Sequence, residues 1–330
     1  YECDVNGGYA TAKGYERHDG RPSPSAATYS IISITLTGAI AVGDTVTGVT
    51  SAATAVVIAV VTGSIVVTKI VGTFVSGEVL NVAAAPQATT TSAALLESAS
   101  TSLLHAQYKN LAADQYRTDI LVPTGSGSSL GGVRFSGVTY SFRNNAGGTA
   151  ADVWKSTASG WSQVTLFNEI SFTAGGVTAP AEAATLTQGA NTALIKRVVL
   201  TSGTWAAGTA AGRLIVATPA PGNYGAGAAT VGAINLTLTA IQTAITLSAG
   251  GRYKFVIANF GGSPNTNRIY GCDGVSRGFE FDGTVFVPIT TGMTTDTPSH
   301  VYAHKLQLFF AFIGSVQHSG PGTPYIWSVI

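Results

Sequence analysis

Charge is what this sequence most lacks. Of 330 residues, 17 are Lys or Arg and 16 are Asp or Glu, 10% in all, against roughly 25% in an ordinary soluble domain. So thin a charge layer makes a surface adhesive when water bathes every side. Much of it is therefore expected to face other subunits, with Ser and Thr hydroxyls wetting the rest. The balance of +1 leaves no basic stripe, which argues against tight, phosphate-driven binding of nucleic acid. DNA sliding through a pore as transient cargo needs no such stripe. Cysteine is nearly absent too: Cys3 and Cys272 are too few and too distant in sequence for a disulfide framework or a thiolate metal site. Long apolar runs are missing. The longest, Ala55 to Val61, falls well short of the roughly 20 residues of a membrane-spanning helix, so no membrane span is expected. The chain does not begin with Met and stops at Trp327-Ser-Val-Ile330 inside an apparent strand, which reads as a fragment or a processed piece.

Glycine is plentiful, with 40 residues, and it cuts the β-rich runs short. Ile31-Ile-Ser-Ile-Thr-Leu36, Thr45-Val-Thr47, Ala55 to Val61, Ser64-Ile-Val-Val-Thr68 and Glu78-Val-Leu-Asn-Val82 are five such runs without helical period. Short strands need closure to hide their edges, so a small barrel or sandwich is predicted here. The pattern Gly, x, bulky apolar, x, x, Gly recurs at Gly38–Gly43, Gly72–Gly77, Gly203–Gly208 and Gly222–Gly227, and Phe172 with Gly175 matches its second half. Ile40 to Phe74 is 34 residues and Phe172 to Trp205 is 33, which predicts two copies of one β module, over 31–95 and 169–248. The glycines would supply positive φ at tight turns while the bulky residue closes the barrel end. Phe74, Trp205 and Tyr224, set at the module tips, are candidate contact residues for stacking on sugars.

Between the copies, in a connector over 96–122, Leu104, Tyr108, Leu111, Ala112 and Tyr116 recur at three and four residues, with Ser100 or Thr101 as cap. This predicts one helix, packed across a sheet edge. The remaining segments, 1–30, 123–168 and 249–330, carry short strands and turns. In the last, Asp273-Gly274 and Asp282-Gly283 separate β-rich runs, as two-residue type I′ hairpins would. At roughly 40 residues per blade these segments suffice for about four propeller blades. The predicted fold is mainly β: a partial or interrupted propeller-like body with two inserted barrel or sandwich modules and one helix.

Several stretches carry a family resemblance. Arg268-Ile-Tyr-Gly-Cys-Asp-Gly274, Phe281-Asp-Gly283, His304-Lys-Leu-Gln-Leu-Phe-Phe310, Ser315-Val-Gln-His-Ser-Gly320 and Pro324-Tyr-Ile-Trp327 resemble propeller strands of tailed-bacteriophage tail proteins, the nozzle, hub or tubular components. Tyr15 to Pro24, Arg143 to Gly148, Lys155-Ser156 and Gly160-Trp161 fit the same resemblance. It implies a virion protein, assembled in the bacterial host cytoplasm as a homo-oligomeric ring around the DNA channel. Its partners would be virion proteins on the portal or adaptor side and on the tail-fibre side.

Candidate chemistry is sparse. His300 and His304 on one strand lie about 13 Å apart, too far to share one ion. Asp273, Glu280 and Asp282 form the densest acidic group, as a propeller glycosidase would need, but the Gly after each Asp explains those two by a turn. No glycine-rich run follows a strand and opens a helix to cradle phosphate. The expectation is a structural protein with no catalytic residue, metal or cofactor. The alternative is a carbohydrate- or receptor-binding fibre or adhesin module.

Overall fold

A computed structural model of the chain describes residues 2–3, 9–10, 17–96 and 103–327. The expected helix caps Ser100 and Thr101, most of residues 1–16 and the last three residues lie outside them. The chain divides into two compact units: residues 1–122 with the hairpin tip 156–161, and residues 123–155 with 162–330.

In the first unit, β1 (Glu2–Cys3) pairs with β2 (Tyr9–Ala10). A six-stranded closed barrel follows, built from β3 (Tyr29–Leu36), β4 (Thr45–Gly48), β5 (Thr54–Val61), β6 (Ser64–Val71), β7 (Val79–Val82) and β8 (Ala85–Thr90). The order is β6-β5-β4-β7-β8-β3, closed by β3 on β6, and β9 (Leu95–Leu96) adds to β3. Alternation fills the interior with Ile32, Ile34, Val46, Val57, Ile65, Val67, Leu80 and the ring of Phe74. The sixth strand escapes a hydrophobic-run reading because Ala-Pro-Gln-Ala-Thr-Thr offers one small core residue, Ala88. Helix α1 (Leu103–Asp119) buries Tyr108 and Ala112 against Tyr29, Ile58 and Val66. It therefore covers the barrel's outer wall and not a sheet edge, because a closed barrel has no edge to cover.

The second unit opens with a four-stranded meander, β10 (Ser126–Phe135), β11 (Val138–Asn144), β12 (Ala150–Thr157) and β13 (Gly160–Gln163). A second closed barrel comprises β14 (Asn168–Ala174), β15 (Thr185–Gln188), β16 (Asn191–Ser202), β17 (Ala211–Val216), β18 (Gly227–Val231) and β19 (Ile234–Leu238). β20 (Thr243–Ala244) adds to β14, and β21 (Leu247–Ser248) pairs with β12. Strand for strand the order β17-β16-β15-β18-β19-β14 repeats that of the first barrel.

Register fixes which residues correspond. Thr35 faces Thr89 as Thr173 faces Thr237. Gly43 and Asp44 exchange backbone bonds with Val57, as Ala183 and Ala184 do with Ile195. Gly72–Gly77 thus matches Gly222–Gly227, and Phe74 matches Tyr224. The Gly38–Gly43 turn matches the approach to Ala183, which holds a positive φ of 64° without being glycine. The expected pairing of Gly38–Gly43 with the Phe172 segment, and of Trp205 with Phe74, is therefore corrected. Gly203–Gly208 belongs to the β16–β17 turn, where the first barrel has only Thr62-Gly63.

Two further four-stranded meanders complete the second unit. One is β22 (Lys254–Asn259), β23 (Asn267–Cys272), β24 (Phe279–Phe281) and β25 (Phe286–Pro288); the other is β26 (His300–His304), β27 (Gln307–Phe312), β28 (Ser315–Gly320) and β29 (Thr323–Trp327). Among the described residues there are three such meanders, where four were expected. Residues 17–28 make no strand, since Gly20, Pro22 and Pro24 suit turns and a 3-10 turn at Pro24–Ala26. The two Asp-Gly pairs also depart from expectation. They sit in longer loops, with positive φ at Gly274 and Gly283 but not at either Asp. Each Asp instead accepts two backbone N–H groups ahead of it: Asp273 from Val275 and Ser276, Asp282 from Thr284 and Val285.

Candidate functional site

The second barrel presents one wall to the meanders of its own unit. Along β16 and β17, Ile195, Leu214 and Val216 point into the barrel. Val199 and Ile215 point out, joining Phe279, Phe281 and Phe286 in the meander core. Ion-pair clusters flank this apolar seam at both ends.

At one end Arg197 contacts three carboxylates, Glu280, Asp282 and, at 3.0 Å through Nε, Glu182. Glu280 also accepts a 2.8 Å hydrogen bond from the Tyr270 hydroxyl, and Arg268 stands 3.7 Å from it. Burial, reinforced by the Glu280 charge, pushes the Tyr270 phenol well above its usual range. Burial opposes the Arg197 charge, but Glu280 and its neighbours outweigh it and hold the guanidinium protonated. A cleft of about 350 Å³ opens over Arg197, Arg268, Tyr270 and Glu280.

At the other end Arg213 donates to Glu169 at 2.6 Å and to the Pro288 carbonyl at 2.8 Å. Arg277 pairs with the other Glu169 oxygen and reaches Thr290 at 3.1 Å. Above them lies a larger cleft, about 690 Å³, walled by β14, β17, the 239–243 segment, Tyr325 and Trp327. Tyr325 lines both clefts, and burial, then Glu280, raise its phenol well above the usual range.

Chemically, the first cluster works as a clamp. Glu280 takes Arg197 on one oxygen and Tyr270 on the other; Asp282 takes Arg197 on one and its own turn on the other. The second cluster differs, since two arginines share one carboxylate and leave a surplus of positive charge.

Of the residues singled out from sequence, Glu280 and Asp282 sit in the first cluster, and the aromatics and histidines lie elsewhere. Phe74 and Tyr224 are buried, at 0% and 1% exposure. This corrects their expected place at exposed tips, because each ring fills the end of its barrel. The Tyr224 hydroxyl donates to the Leu186 carbonyl at 2.7 Å, and burial pushes it up to about 12. Trp205 is half-buried, stacked on Phe172 at 5.5 Å and 10°. His300 and His304 are exposed at opposite ends of β26, with His300 beside Lys254. Sequence reasoning passed over Arg197, Arg213, Arg277 and Glu169. The available signal was a charge set inside an apolar strand run, as in Ala211-Gly-Arg-Leu-Ile-Val216, in a chain with so few charges. The chain matches no protein-family model, no curated protein and no solved structure.

Proposed function

We propose that this chain is a structural protein of a tailed-phage virion, forming part of a ring around the DNA channel in the tail, as nozzle, hub or tube. Three four-stranded meanders, the first parted from the other two by the second barrel, are the kind of unit from which propeller blades are made, and a propeller-like body of copies ringed together is the arrangement proposed. Sister copies and neighbouring virion proteins are its partners, and DNA is cargo.

One observation carries the reading. The outward face of the last meander carries exposed apolar side chains among three histidines, and nothing among the described residues covers it. Tyr302 stands beside Phe309 and His318, and Ala311 beside Val316. Tyr302 is 64% exposed, Val316 65%, and Ile313 at the adjoining turn is fully exposed. β26 and β29 each have a sheet partner on one side only. Exposed apolar side chains next to open strand edges make a mating surface for a neighbour.

The test is mass photometry and negative-stain imaging of the purified chain beside an Ile313→Asp, Val316→Asp double variant. Rings for the parent and monomers for the variant are expected. A parent that stays monomeric when concentrated, or a variant that still forms rings, refutes the proposal.

A further inference from the structure

We infer that the larger cleft of the second unit is a binding site for an acidic saccharide, whether or not the chain assembles into rings. Its floor holds Arg213, Arg277 and a single carboxylate, Glu169, so the formal balance there is +1. Glu169 turns one oxygen to both arginines and the other to Arg277 alone, which mutes its repulsion of an incoming anion. Arg277 keeps a third of its side chain exposed, so its guanidinium is reachable. Arg213 is nine-tenths buried, and its Nε has no hydrogen-bond partner among the described residues.

The walls suit the rest of a sugar. Ser171, Thr173, Thr239, Thr243 and Thr290 line the cleft with hydroxyls that donate and accept. Trp327, stacked on Phe310 at 5.2 Å and 3°, stands in the wall as a braced ring. An aromatic face takes the apolar side of a pyranose while the hydroxyls take its edge. A carboxylate on that ring would add a charge-assisted hydrogen bond to the exposed part of the Arg277 guanidinium, beside those it gives Glu169 and Thr290. Nucleic acid fits less well, because single-strand binding needs a basic track with repeated stacking rings, and this floor carries one surplus charge.

Isothermal titration of the whole chain with trigalacturonate, and with neutral maltotriose as comparison, tests the inference. Trigalacturonate is expected to bind at least ~10-fold more tightly, about 1.4 kcal/mol. Arg277→Gln should weaken it by ~10-fold or more. Ile241→Glu, on a rim residue 71% exposed and unneeded for packing, should do the same by charge repulsion while circular dichroism stays unchanged. Equal binding of the two sugars, no detectable binding of the acidic one, or indifference to both substitutions overturns it.

Discussion

Arg197 leaves an otherwise apolar strand to meet Glu280, Asp282 and Glu182. Removing one member of a buried ion-pair network leaves the others uncompensated, which costs about 3–5 kcal/mol. Arg197→Ala is therefore expected to lower the unfolding free energy of the second unit, read from urea titration, by that order, whereas replacing the exposed Arg117 should change that of the first unit little. Glu78 does comparable work in the first barrel. Its carboxylate accepts from Val75 N at 2.7 Å, Ser51 N at 3.0 Å and the Ser51 hydroxyl. Burial alone would raise its pKa, but the Val75 and Ser51 hydrogen bonds together lower it. A folded value below the unfolded one, about 4.3, means the stabilisation is present above that pH and is lost as pH falls through the folded value. Melting temperatures from pH 6 down to 3 should thus drop for the parent and stay flatter for Glu78→Gln, which is expected to be less stable by about 1–3 kcal/mol near neutrality. At this scale the sequence shows which residues carry charge. It does not show which charges meet, since Arg197 and Glu280 are separated by 83 positions.

At the scale of elements, glycine turns and apolar alternation mark both barrels, and the Gly72–Gly77 and Gly222–Gly227 turns recur in equivalent places. Both carry positive φ at their last glycine, 80° and 132°, where a side chain would be strained. The aromatic in each turn is a barrel plug, which gives an order of severity. Phe74→Ala should cost about 3–5 kcal/mol as a core cavity. Trp205→Ala, on a half-buried ring in a turn the first barrel does without, should cost about 1–2 kcal/mol, mainly through its stack on Phe172. Chemical denaturation of both variants checks the order, and a reversal would mean the Trp205 turn is part of the barrel's closure. A glycine at a close approach offers a second check. A Cβ on Gly278 would sit 2.3 Å from the Phe310 ring, so Gly278→Ala should destabilise the contact between the last two meanders. The Trp205 motif misled the alignment of the repeats because a short pattern in a glycine-rich chain says nothing of register, which backbone pairing alone assigns.

For the molecule as a whole, scarce charge and the exposed apolar side chains of the last meander make one expectation about solution behaviour. Assembly driven by apolar contact should hardly respond to salt, whereas surface charge pairs are screened within about 3 Å at 1 M ionic strength. Sedimentation at about 0.1 M and 1 M sodium chloride should therefore show the same oligomer; dissociation at high salt would point to charge as the adhesive. Taken by itself, the sequence determined that the fold is mainly β, that its strands are short, that one helix interrupts them, and that a small domain is repeated. These follow from local periodicity and turn chemistry, which act over a few residues. Tertiary structure alone decided that the small domains are closed six-stranded barrels with one strand order, that Phe74 and Tyr224 are buried, and that Arg197 of the second barrel meets two acids of the meanders while Arg277 meets Glu169 of the barrel. Strand pairing and burial join residues far apart in the chain, and the free energy that selects those partners is spread over the whole packed core, so no stretch of sequence carries it alone.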